Sequence, residues 1–96
     1  MNLGDFDRRA FFEKVQTILA ERGGEYADPR PLFEEIATRW TATTGVNIAP
    51  QQVVLCMLDL KIARLSVNWS HADSIADLAG YAAILAEINH TRKDAP

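Results

Sequence analysis

The sequence predicts an all-α domain built from four antiparallel helices. Four segments place apolar residues at helical spacing, glycine and proline separate these segments, and none of them alternates apolar and polar residues as a half-buried strand would. The short connections favour antiparallel neighbours. Because 96 residues divided between two cores would leave each half too small to fold, we expect a single domain over 1–96 with its core at about 6–90.

The first two predicted helices are amphipathic. The first covers about 6–22 and stops at Gly23, and the second begins near Pro31 and stops at Gly45. Apolar residues recur on one face of each helix: Phe11, Val15, Ile18 and Leu19 on the first, and Leu32, Phe33, Ile36, Ala37 and Trp40 on the second. Each helix should therefore bury one face and leave the other in solvent.

The third predicted helix runs from Pro50 to about Val67 and is apolar around almost its whole circumference, so we expect it to lie at the centre of the fold. A fourth helix follows it. Ser70 stands three residues before Asp73, as in a capping box, which predicts that the fourth helix begins at Ser70. We expect the chain to fray after His90, where this helix ends.

Charge and hydropathy exclude two broad classes of partner. The net charge of −3 and a pI near 5.2 have the wrong sign for bulk nucleic-acid binding. The longest apolar run, 53–58, is far shorter than the ~20 residues of a membrane helix, which predicts no membrane partner. Cys56 is the only cysteine, so we expect a small core residue and a reducing, cytoplasmic compartment rather than a disulfide or a cysteine-cluster zinc site.

The size of the chain predicts self-association. A domain this small buries only about 60–65% of the surface that its unfolded chain exposes. The third helix is apolar all round, and the first adds Phe6, Phe11 and Phe12, which together exceed the apolar surface that a thin four-helix monomer covers easily. We therefore expect a homo-oligomer, a dimer or larger.

Two pairs of charged residues interrupt the third and fourth helices. Lys61 and Arg64 lie three residues apart on one helix, and Asp73 and Asp77 lie four apart on the next. One interpretation is that cations and carboxylates pair across the short connection. The other is a ligand site, in which Lys61 and Arg64 hold phosphate oxygens and the two aspartates bind Mg²⁺, a cation that prefers carboxylate, water and phosphate oxygens. The sequence leaves both interpretations open.

Other polar residues are candidates for the same site. Glu34 and Glu35 could add a carboxylate to the metal, although neighbouring helix positions point about 100° apart and at most one can face it. In the loop before the second helix, Tyr26 could stack on a base and Arg30 could hold a phosphate, or the loop could be a plain connector. His71, beside a helix start, either contacts a phosphate or is inert.

Several segments together resemble a known family: Tyr26-Ala27-Asp28-Pro29, Leu60-Lys61-Ile62-Ala63-Arg64-Leu65, His71-Ala72-Asp73-Ser74 and Asp77-Leu78-Ala79-Gly80-Tyr81. Over about 23–87 the chain is similar to a small helical domain of phages and prophages, and more distantly to MazG-type all-α nucleoside triphosphate pyrophosphohydrolases. The resemblance implies a MazG-like fold and Mg²⁺-dependent cleavage of a nucleotide to its monophosphate and pyrophosphate. It also makes Tyr81 a candidate ligand-binding residue.

The chain departs from the MazG pattern where the metal would bind. MazG-type enzymes pair a Glu-x-x-Glu helix with a Glu-x-x-Asp helix, whereas this chain has Glu34-Glu35 without a carboxylate three residues later, and Asp73-x-x-x-Asp77. We therefore expect a protein that binds a nucleotide phosphate, with Mg²⁺-dependent hydrolysis as one outcome. The alternatives are a non-catalytic oligomer that sequesters a nucleotide immune signal in phage counter-defence, in the host cytoplasm, and a purely structural oligomer.

Overall fold

The computed structural model describes residues 6–23 and 28–90, which form four helices. These are α1 (Arg8–Gly23), α2 (Arg30–Thr44), α3 (Pro50–Val67) and α4 (Ala72–Asn89). No strand occurs in this part of the chain, so the all-α prediction is confirmed. The fraying expected after His90 concerns 91–96, which lie outside the described residues.

Proline and glycine set the ends of α2 and α3 as the sequence predicts. Pro31 lies in the first turn of α2, and Pro50 is the first residue of α3. α2 ends where Gly45 adopts a left-handed conformation, with φ of 76°, and donates its N–H to the Thr41 carbonyl oxygen at 2.9 Å. These two signals fix the length of the connection between α2 and α3.

The capping box predicted at Ser70 is wrong, because α4 begins two residues later. His71 is the N-cap, and its Nδ1 accepts the Ser74 backbone N–H at 3.2 Å and lies 2.8 Å from the Ser74 Oγ. Ser70 belongs to the preceding turn, where its hydroxyl donates to the Asn68 Oδ1 at 3.0 Å. The hydroxyl that the pattern assigns to the helix is therefore used by the turn.

The helices pack in the spatial order α1, α4, α3, α2. α3 and α4 run in opposite directions, because Lys61 of α3 meets Asp77 of α4, while Val53, at the other end of α3, packs in one cluster with Ile84 and Ile88. The buried core combines three helices: Phe33 and Ala37 of α2, Val53 and Val54 of α3, and Ile88 of α4. None of the helices in the described chain is long and apolar enough to cross a membrane.

The apolar circumference of α3 predicts a position at the centre of the fold, but the helix buries one face only. Val53 and Val54 are fully buried. Four large apolar residues of the same helix are strongly exposed: Leu55 (49%), Leu60 (44%), Ile62 (54%) and Val67 (88%). Cys56, expected in the core, is exposed as well. α2 and α4 both pack on α3, and the exposed residues of α3 lie on a side that no helix of the described chain covers.

Candidate functional site

A cleft of about 440 Å³ lies between α1, α2 and α4, and we call it the α1/α2/α4 cleft. Because α1 packs on α4 while α2 packs on α3, the cleft occupies the space where α1 and α2 would meet in a closed four-helix bundle. Most of its wall is apolar and comes from Val15, Ile18, Leu19, Leu32, Phe33, Ala76, Gly80 and Ile84. Four polar residues join them: Asp28, Asp77, Tyr81 and Glu87. This volume and mixture are typical of a small-molecule pocket between helices.

α4 forms the floor of the cleft. Asp77, Gly80, Ile84 and Glu87 recur at intervals of three or four residues, so they lie along one face of the helix. Gly80 faces α1, and a Cβ at this position would lie 3.4 Å from the Leu19 Cδ2. The distance from Asp77 to Glu87 along the helix is about 15 Å. The cleft therefore has carboxylates near both of its ends.

Asp77 forms an ion pair with Lys61 of α3. The Lys61 Nζ lies 2.8 Å from the Asp77 Oδ2, and the two side chains are only 13% and 11% exposed. The cross-hairpin pairing that the sequence allowed is therefore confirmed for these two residues. Because little water reaches the pair, the lysine ammonium compensates the charge of the Asp77 carboxylate where solvent does so poorly.

Arg64 and Asp73 lie near the same end of the α3–α4 hairpin, and both are exposed. Because the helices run in opposite directions, the turn of α3 after Lys61 faces the turn of α4 before Asp77. Among the described residues no ion pair joins Arg64 to Asp73. Asp73 lies in the first turn of α4, where a carboxylate interacts favourably with the helix dipole. The structure thus brings the four charged residues to one region, where the Asp77 carboxylate holds the Lys61 ammonium.

Arg30 links two helices at the other end of the cleft. Its Nε lies 2.9 Å from the Asp28 Oδ1 and 3.0 Å from the Asp28 Oδ2, and its Nη1 donates to the His90 carbonyl oxygen at 2.9 Å. These contacts connect the start of α2 to the end of α4. Hydrogen bonding from the Arg30 guanidinium lowers the pKa of the Asp28 carboxyl below its usual value, so this carboxylate stays charged in mildly acidic solution.

The carboxylates predicted on α2 do not line the cleft. Glu35 pairs with Arg39 on the solvent side of the helix, with 3.1 Å between the Glu35 Oε2 and the Arg39 Nε. Glu34 is exposed and lines a separate groove between α2 and the start of α3. Within the described residues, no three His, Cys, Asp or Glu side chains lie close enough together to hold a metal ion.

The other predicted ligand residues have three different placements. Tyr81 is half-buried and lines the cleft. The His71 ring is engaged by Ser74 as the cap of α4. Tyr26 lies outside the described residues, so its role stays a prediction.

Sequence reasoning missed two carboxylates of the cleft, Asp28 and Glu87. The spacing of Asp77, Tyr81 and Glu87 places all three on one side of a helix, and this was a usable signal in the sequence. Asp28 offered no such signal, because its position beside the cleft depends on how the start of α2 is held against the end of α4.

Comparison with known proteins identifies relatives of this chain among phage proteins. A family model described as a domain of unknown function, DUF6378, matches residues 11–89. The Gene 55 protein of Mycobacterium phage L5 is 39% identical over 74 residues, which cover 76% of this chain and 47% of that protein. The Gene 55 protein of Mycobacterium phage D29 is 32% identical over 80 residues, 82% of this chain and 53% of that protein. The chain thus spans about half the length of these relatives, and no solved structure matches it.

Proposed function

The chain belongs to the DUF6378 family, and we propose that it binds a nucleotide without hydrolysing it, with the base in the α1/α2/α4 cleft. One observation supports this proposal most. The cleft is apolar along its walls but has carboxylates near both ends, Asp28 and Glu87 at one and Asp77 at the other. A planar, apolar ring with hydrogen-bond donors on its edge complements such a surface.

The end of the cleft near Asp28 and Glu87 suits the amino edge of a base. Both carboxylates lie close enough to Arg30 to stabilise its positive charge. Carboxylate oxygens accept hydrogen bonds from exocyclic amino groups, as Asp and Glu do from the cytosine amino group. The apolar walls and the ring of Tyr81 suit the faces of the base. Adenine, cytosine and guanine have an exocyclic amino group and uracil has none, so the proposal implies discrimination against uracil.

The phosphate of the ligand stays outside the cleft in this proposal. No lysine or arginine lines the cleft in the described part of the chain, and the Lys61 ammonium is held by Asp77. A phosphate placed among the cleft carboxylates would be repelled by them. The nucleoside should therefore contribute most of the binding free energy.

The described residues do not fit a resident Mg²⁺. Asp77 is paired with Lys61 in a poorly hydrated site, Asp73 is a full turn away and exposed, and no group of three candidate ligands exists among them. Mg²⁺ in proteins is held by carboxylates together with water and substrate phosphates. The proposed function therefore includes no hydrolytic step on a metal ion.

A protein that sequesters a nucleotide needs to bind it without hydrolysing it. The resemblance to MazG-type proteins supports a nucleotide as the ligand, and the two Gene 55 relatives are phage proteins. We propose that the protein withdraws a nucleotide signal from the host, a role in counter-defence. This role extends the binding proposal, which stands or fails separately.

Calorimetric titration with AMP, CMP, GMP and UMP, in the presence of Mg²⁺, tests the binding proposal. At least one of the three amino-bearing nucleotides should bind tenfold or more tightly than UMP, since a site built for a donor rejects an analogue that lacks it. The corresponding nucleoside should bind about as tightly as its monophosphate. For hydrolysis, prolonged incubation with ATP and Mg²⁺, followed by anion-exchange chromatography, should recover the ATP intact.

Two alanines of α4 provide a matched pair of variants. Ala76 lines the cleft, whereas Ala82 is exposed and does not line it. Ala76→Phe should fill the cleft and abolish binding, and Ala82→Phe should bind like the unaltered protein. Equal affinities of the two variants, preference for UMP, or release of pyrophosphate from ATP would contradict the proposal.

A further inference from the structure

The exposed half of α3 has the residue spacing of a coiled coil. Cys56, Leu60, Ala63 and Val67 follow one another at intervals of four, three and four residues, as the d and a positions of a heptad repeat do. All four are exposed, with Leu60 at 44% and Val67 at 88%. These residues, which we call the α3 seam, form an apolar stripe with no helix against it in the described chain.

Two opposite charges flank the α3 seam. Asp59 lies on one side of Leu60 and Arg64 lies on the other, which corresponds to the g and e positions of the heptad. In a parallel pair of helices, a g residue contacts the e residue five positions later on the partner helix. Both side chains are exposed, and neither enters an ion pair among the described residues. The charge pattern is therefore complementary to a second copy of itself.

We propose that two copies of the chain associate in parallel through the α3 seam, with Asp59 of each copy paired with Arg64 of the other. Small side chains at Cys56 and Ala63 let the two helices approach closely, and Leu60 and Val67 supply most of the buried apolar area. A second stripe through Leu55 and Ile62 does not suit this role, because Asp59 stands in its middle and two carboxylates would face each other. The interface lies outside the α1/α2/α4 cleft and does not depend on a ligand.

Sedimentation equilibrium at micromolar concentration gives the first test. The unaltered protein should be a dimer and Leu60→Glu should be a monomer, while circular dichroism shows unchanged helix content. Ile62→Glu is the matched control, because Ile62 is another exposed apolar residue of α3 and lies outside the seam, and this variant should remain a dimer. A monomeric unaltered protein, which would leave this face to another partner, or a dimeric Leu60→Glu would overturn the proposal.

Charge reversal tests the pairing. Asp59→Arg and Arg64→Asp should each raise the dimer dissociation constant roughly tenfold or more, because each places like charges opposite one another twice. The double variant restores opposite charges at both contacts and should return the constant close to its original value. If the double variant is as weak as the single ones, the proposed pairing is wrong.

Cys56 reports the direction of the two helices. In a parallel dimer the two Cys56 side chains face each other across one layer of the seam, at a separation that a disulfide can span. The oxidant diamide, which removes one hydrogen from each thiol, should therefore produce a covalent dimer on non-reducing electrophoresis, and Leu60→Glu should produce little. An antiparallel pair centred near Leu60 would separate the two cysteines by about two helical turns, roughly 12 Å along the axis. A dimer that diamide does not link would overturn the parallel arrangement.

Discussion

At the scale of single residues, Lys61 and Asp77 show how one ion pair joins α3 to the floor of the cleft. Their types and positions were visible in the sequence, and the short connection between the two helices made their pairing one of two interpretations. The structure shows this pairing, and both side chains are largely buried, where a charge needs a close partner. Arg64 and Asp73 carry the same two charges but are exposed to solvent, where no such need exists.

Replacing Lys61 tests how much this ion pair contributes to the stability of the fold. Lys61→Met keeps most of the apolar stem but removes the ammonium from a poorly hydrated carboxylate, so it should lower the free energy of unfolding by about 3 kcal/mol. Urea denaturation measures this change. Arg39→Met, which breaks the exposed pair with Glu35, is the control and should change stability by less than about 0.5 kcal/mol. Similar small effects for both variants would show that the buried pair contributes little to the free energy of unfolding.

Asp28 makes a prediction about pH. Hydrogen bonds from Arg30 lower its pKa in the folded protein, so the folded state binds fewer protons at this group than the unfolded state does. The contribution to stability is complete above the ordinary aspartate pKa, and it disappears as the pH falls through the lowered value. An NMR titration of the Asp28 carboxyl carbon should show this pKa, and Arg30→Gln should raise it. If Arg30→Gln leaves the Asp28 titration curve unchanged, Arg30 is not the cause of the lowered Asp28 pKa.

At the scale of helices, local signals predicted the elements well and their caps less well. Pro50 and Gly45 mark helix ends because their backbone preferences act regardless of the rest of the fold. The start of α4 was misplaced, since Ser70 can serve either a helix or a turn and Asn68 selects the turn. His71 as a cap was not recognisable from the usual preferences, which favour Ser, Thr, Asp and Asn.

The cap of α4 can be tested by a set of three variants. His71→Ala should lower the free energy of unfolding by about 1–2 kcal/mol, because the ring nitrogen accepts the Ser74 N–H and also contacts the buried Ser74 hydroxyl. His71→Asn supplies another cap acceptor and should recover much of this loss. Ser70→Ala should change stability by less than about 0.5 kcal/mol, measured by urea denaturation. A larger loss of stability in Ser70→Ala than in His71→Ala would show that Ser70, as predicted from sequence, is the cap of α4.

The packing of α1 on α4 can be tested at Gly80. A Cβ added there would meet the Leu19 side chain at 3.4 Å, an ordinary contact, and alanine favours a helix interior more than glycine does. Gly80→Ala should therefore raise the free energy of unfolding by about 0.5–1 kcal/mol. Gly45→Ala is the contrasting variant and should lower it by about 1 kcal/mol, because Gly45 has a positive φ. Destabilisation by Gly80→Ala would mean that α1 approaches α4 more closely than described.

At the scale of the whole molecule, the two most informative features are the α1/α2/α4 cleft and the exposed half of α3. The sequence predicts four apolar stripes, but which stripes meet is a property of the assembled helices. Periodicity therefore placed α3 at the centre without revealing that half of it is exposed, and it gave no indication of a cleft between α1 and α2. For the same reason Asp28 and Glu87, far apart in the chain, could not be recognised together as parts of one site.

The most direct test of the central claim is an NMR titration of ¹⁵N-labelled protein with AMP, CMP and GMP in turn. If the base enters the α1/α2/α4 cleft, the amide signals of Leu19, Ala76, Gly80 and Ile84 should shift with at least one nucleotide, and they should not shift in Ala76→Phe. Signals from the exposed face of α3 should stay in place. Shifts confined to Glu34 and Glu35, shifts that Ala76→Phe retains, or no shift with any of the three nucleotides would contradict the claim that this cleft binds a nucleotide.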